Sequence, residues 1–73
     1  VEGDLQHRLG QNLRAYRRAK GLSQEEFADL LGFHRTYVGG LERGERNLTL
    51  RTLDRLAEQL AADPLDLLRP PGD

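Results

Sequence analysis

The chain has 73 residues, 37% of them hydrophobic and 32% charged, which permits one small packed domain and suits a compact fold better than a disordered segment. With no cysteine there is no disulfide scaffold, thiolate nucleophile, zinc finger or iron–sulfur centre, and no apolar run approaches the roughly 18–20 residues that cross a bilayer. The net charge of −1 is unevenly spread: residues 5–20 carry +5 and residues 33–55 carry +2, while acid gathers in 1–4, 21–32 and 56–73. A nearly neutral chain can thus present one basic face.

Leucine recurs at helical spacing and no segment alternates with period two, so the expected fold is all-α, a compact bundle of five short helices over residues 4–69 with a polar tail at 70–73. Asp4 is placed to cap the first helix. Leu5, Leu9, Leu13 and Tyr16 share one face, and Gly21 stops the helix just after Arg17, Arg18 and Lys20, which suit the negative end of its dipole. Ser23 and Glu26 form a capping box for the second helix, and Leu22 is placed to staple onto Phe27. Phe27, Ala28 and Leu31 face inward, and Gly32 ends the helix after about two turns. Phe33 is expected to be buried in the turn that follows.

His34 stands where the third helix, residues 35–43, needs a cap, although histidine caps less well than serine or aspartate. Val38 and Leu41 point inward and Gly44 ends it. Residues 45–48 form a polar loop. Thr49 caps a fourth helix whose apolar face is Leu50, Leu53, Leu56, Ala57 and Leu60. Asp63-Pro64 starts a short fifth helix. Its Leu65 and Leu68 either fill the core or form a dimer seam, since so small a core gains stability from a second copy.

Two short helices around Gly32 have the layout of a helix-turn-helix. With Val38 and Leu41 inward, 3.6-residue periodicity turns Arg35, Thr36, Gly39, Gly40 and Arg43 outward, with Tyr37 at the border. That outer face has neither acid nor apolar bulk, and a major groove admits such a helix. The glycine doublet costs roughly 1 kcal/mol per glycine relative to alanine. It reads either as close packing or a frayed turn, or as room for DNA to approach. Of the eleven basic residues ten are arginine, the side chain suited to bidentate phosphate and base contacts.

From Leu9 to Leu68 the chain resembles the lambda-repressor-like helix-turn-helix family of phage repressor and Cro proteins. The matching runs are LGxxLRxYRRxKGLSQEEFAxLLG, HRTYVxxLERGERNLTL, LxxLAxxL and DPxDLL. HRTY followed by ERGxRN is most similar to restriction–modification controller-type regulators. The resemblance implies that Gln24, with Ser23 beside it, clamps a phosphate and that Arg35, Thr36 and Tyr37 read bases. It further implies that Arg43, Arg46, Asn47 and Thr49 hold phosphates, and that Arg17 and Glu42 form a structural ion pair. His34, where a serine or threonine cap is usual, and Gly40, where a base-reading side chain often stands, depart from the family pattern.

The expected function is sequence-specific binding of double-stranded DNA by a transcriptional regulator, as a homodimer on a palindromic operator, with the third helix in the major groove. The alternative is a helix-turn-helix used to hold a protein partner, as an antitoxin does. The outward arginines favour DNA. No enzyme is expected. Ser23 lacks a nearby base, Glu25 and Glu26 suit a helix start, and His7 and His34 have no companion ligands, so no cofactor or metal is expected. No basic-then-apolar leader opens the chain, so a cytoplasmic protein without a membrane partner is expected.

Overall fold

The computed structural model describes residues 3–71. Five helices follow in chain order: α1 Asp4–Ala19, α2 Gln24–Leu31, α3 Arg35–Glu42, α4 Leu50–Leu60 and α5 Pro64–Leu67, with no strand among the described residues. Of the expected tail at 70–73, positions 72 and 73 lie outside the described residues, as do Val1 and Glu2.

The helix starts follow local chemistry. The Ser23 hydroxyl accepts from the Glu26 N–H at 3.1 Å, and the Glu26 carboxylate accepts from the Ser23 N–H at 2.8 Å, completing the capping box. These bonds hold the Glu26 carboxyl below the usual carboxylate range. Thr49 and Asp63 cap α4 and α5 by accepting from Thr52 N–H and Leu65 N–H. His34 does cap α3, its Nδ1 accepting from Thr36 N–H at 3.2 Å. At the end of α2, Gly32 takes φ +74°, a left-handed conformation that side chains rarely adopt, and reverses the chain in one residue. The stops expected at Gly21 and Gly44 also stand.

Asp4 is not the cap of α1. Gly3 occupies that position without a side-chain bond, and Asp4 lies inside the first turn, where its charge faces the positive end of the dipole. The third helix ends one residue short of expectation, with Arg43 as its C-cap.

The core comprises Leu9 and Leu13 of α1, Phe27, Ala28 and Leu31 of α2, Val38 and Leu41 of α3, Leu53, Leu56, Ala57 and Leu60 of α4, and Leu67 of α5. Each large side chain buried there contributes about 1.5–3 kcal/mol. Tyr16, Leu22, Phe33 and Leu68 pack partly buried at its margin. Two leucines expected inside are not. Leu5 is 54% and Leu50 84% exposed. Both stand in a first helical turn, and helical side chains lean toward the N-terminus, so they overhang the end of the core. Leu65 is also exposed, at 67%.

α3 is held between α1 and α2, while α5 lies against α1 and α4. Gly10 permits the α1–α3 approach. A β-carbon there would stand 2.5 Å from the Leu41 carbonyl oxygen and 2.6 Å from that of Glu42. At the far end, the Asn12 amide donates to the Leu67 and Arg69 carbonyls at 2.8 and 2.9 Å, satisfying acceptors that the short α5 leaves open.

Candidate nucleic-acid interface

The unit of interest is α2, the Gly32 turn and α3. Its two helices are locked by a polar hub where α1 meets the start of α2 and the end of α3. Arg17 of α1 donates from Nε and Nη2 to the Glu42 carboxylate at 2.7 and 3.0 Å, and from Nη1 to the Leu22 carbonyl at 3.0 Å. The Glu42 hydrogen bonds raise the Arg17 pKa above its ordinary value against the opposing effect of burial. Gln24, first residue of α2, donates from Nε2 to Glu42 Oε1 at 3.1 Å. Glu42 thereby ties α1, the start of α2 and the end of α3 to one carboxylate. Arg17 and Glu42, 25 positions apart, meet as the resemblance implied.

On α3, Val38 and Leu41 are buried, while Arg35 and Thr36 are exposed and Tyr37 is half-buried. Phe33 meets Tyr37 edge-on, with ring centroids 5.1 Å apart, and Arg55 of α4 lies over the Phe33 ring at 5.3 Å. The turn and the start of α3 are therefore braced from α4.

Gly39 and Gly40 do not lie open on the outer face. Both are buried, and their covers are neither another backbone nor empty space. A β-carbon on Gly39 would stand 3.1 Å from Arg43 Nη1, and one on Gly40 would stand 2.8 Å from Arg46 Nε. The 3.6-residue period turns both glycines outward, but the structure buries them, because the side chains of Arg43, the C-cap of α3, and Arg46, in the loop beyond it, fill the trough that the glycines leave. Arg46 continues to the Tyr37 ring, its Cζ 5.3 Å from the centroid. Arg43 is paired with Glu45 at 3.1 Å, both side chains well exposed.

The remaining site residues follow the loop. Asn47 Oδ1 accepts from Gln6 Nε2 of α1 at 2.9 Å. The Thr49 hydroxyl is engaged with Thr52 at the start of α4. Ser23 is engaged in its capping box. Sequence reasoning missed Gln6, Gly10 and Arg55 as supports of this surface. Only Gly10 left a signal, a glycine beside Leu9 in the middle of a helix, where glycine costs stability unless something packs against it. Among the described residues no group of acids and histidines could hold a metal, and no helix is long and apolar enough to cross a membrane.

Residues 13–67 match a family profile described as helix-turn-helix, HTH_3. The control protein C.SmaI of Serratia marcescens is 46% identical over 69 residues, covering 94% of this chain and 82% of that protein. The restriction–modification controller protein C.AhdI of Aeromonas hydrophila has a crystal structure that superposes with a TM-score of 0.73 at 50% identity, over 85% of this chain and 94% of that one. C.Esp1396I, solved as a tetramer with its natural 35-base-pair operator, superposes at 0.71 with 30% identity, over 86% of this chain and 83% of that one.

Proposed function

The chain belongs to the HTH_3 helix-turn-helix family, and on that premise we propose that it is a sequence-specific double-stranded-DNA-binding regulator of transcription of the restriction–modification controller type. The carrying observation is the outer face of α3. Arg35 and Thr36 stand exposed at its start, no acid lies among the outward residues of the helix itself, and Arg43 and Arg46 lie along it, Arg43 with Glu45 as its ion-pair partner. Such a helix suits the major groove, with Arg35, Thr36 and Tyr37 toward base edges.

Gln24, beside Ser23, has one amide hydrogen bond to Glu42, which orients the side chain at the positive end of α2, a favourable place for a phosphate. Arg43, Asn47 and Thr49 line the route of the backbone beyond α3, and their contacts set register. The work is binding rather than catalysis, and it takes place in the cytoplasm.

A homodimer on a two-fold-symmetric operator doubles the sequence read, with half-sites about one helical turn apart. C.Esp1396I binds its operator as a tetramer, and this chain offers the exposed Leu50 and Leu65 for self-association. The test is selection of bound duplexes from a random pool. Two-fold-symmetric sequences are expected to be enriched, and their affinity to fall linearly on a log–log plot against salt. Absence of any enriched sequence refutes the proposal.

A further inference from the structure

Arg46 lies in the loop after Gly44, a position that suggests a phosphate grip. The structure puts its guanidinium elsewhere. The side chain runs back over Gly40, its Nε, Cγ and Cδ occupying the space where a residue-40 side chain would begin, at 2.8, 3.1 and 3.4 Å from an ideal β-carbon. Its guanidinium ends above the Tyr37 ring. Positions 36, 37 and 40 are neighbours on one helical face at spacings of four and three. Arg46 therefore occupies the missing place in the stripe that contains Thr36 and Tyr37.

Its chemistry fits that place. A cation above a ring face spends none of its N–H donors. Among the described residues the Arg46 guanidinium has no hydrogen bond or ion pair, unlike Arg43, which is paired with Glu45. A planar donor fork steadied on an aromatic ring is suited to the O6 and N7 acceptors of guanine. We infer that Arg46 is a specificity-determining residue that reads a base edge from the position left vacant by Gly40. The glycine is the condition for this, because any side chain there displaces Arg46.

The inference rests on the proposed placement of α3 in the groove, and the test separates the two. The full chain and its Arg46→Ala, Gly40→Ala and doubly substituted variants are titrated with the selected duplex, with single-base-pair variants of it, and with random duplex, across a salt series. Thermal melts verify folding. Arg46→Ala is expected to shrink the specific-to-random ratio about 5- to 150-fold, relaxing preference at one base pair per half-site. Gly40→Ala is expected to relax the same base pair, and the double variant to lose little more than either single one.

A phosphate contact would instead weaken specific and random binding alike and reduce the salt slope by about one. That outcome, or full additivity of the two substitutions, overturns the inference while leaving the DNA-binding reading intact. A parent chain with no preference among duplexes overturns both.

Discussion

Removing the Glu42 carboxylate is expected to cost this domain a large part of its stability. Its side chain is 3% exposed and accepts from three donors: Nε and Nη2 of Arg17, and Nε2 of Gln24. In Glu42→Ala, Gln24 is free to turn to water. Arg17 is not, because only 14% of its side chain is exposed and its sole remaining bond is to the Leu22 carbonyl. Stranding one partner of a buried pair costs about 3–5 kcal/mol, and the residual exposure of Arg17 argues for about 3. A domain of 73 residues has on the order of 4–11 kcal/mol in total. At about 4–8 °C per kcal/mol, the midpoint falls by about 12–24 °C.

The assay is a thermal melt followed by helical circular dichroism, with Arg17→Met, Glu42→Ala and the double variant forming a cycle. The double variant, with no stranded charge, is expected to recover part of the loss. A Glu42→Ala midpoint within about 5 °C of the parent refutes the reasoning, because a stranded buried guanidinium could not be so cheap.

Gly10→Ala is expected to destabilise by about 1–3 kcal/mol despite the better helix propensity, because the new methyl meets backbone carbonyls that cannot rotate away; denaturant titration measures it. His34→Ser is expected to stabilise by about 0.5–1 kcal/mol by giving α3 a better cap, and an unchanged denaturation midpoint would show that the imidazole already caps as well. The Glu26 pKa is lower folded than unfolded, so its contribution is complete above the ordinary glutamate value of about 4.3 and is lost as pH falls through the folded-state value. Glu26→Gln is therefore expected to flatten the acid limb of stability against pH, least at high salt, and an identical acid limb would contradict the assignment. Leu65→Asp is expected to shift sedimentation toward monomer at micromolar concentration; a parent that stays monomeric even on its DNA site sinks the proposed seam.

The legible parts of this fold are those determined within a few residues. The Ser23–Glu26 box, the Asp63-Pro64 start and the reversal at Gly32 depend on neighbouring backbone groups, so the chain spells them out locally. The Arg17–Glu42 pair is a long-range contact, legible only because a whole motif placed both residues. Periodicity assigns a face and not an end: it put Leu5 and Leu50 on the correct stripe but could not show that the core stops short of them. Long side chains are the least legible. Nothing local determines whether Arg46 points away from its loop or returns over Gly40, because that depends on free space and on a ring nine residues earlier.

The bond from Asn12 to the Leu67 carbonyl carries a consequence for the order of synthesis. α5 has only four helical residues, too few to persist alone, and its end is held by an amide 55 positions upstream. At about 5–20 residues per second, the ribosome takes about 3–11 s to deliver what Asn12 must bind. Within that interval α3 is made before α5, and α1 and α4 wait for the last helix that packs on them. The Asn12 bonds to Leu67 and Arg69 can form only after residue 69 has been made, so a chain ending before that point is expected to be less stable than the full chain.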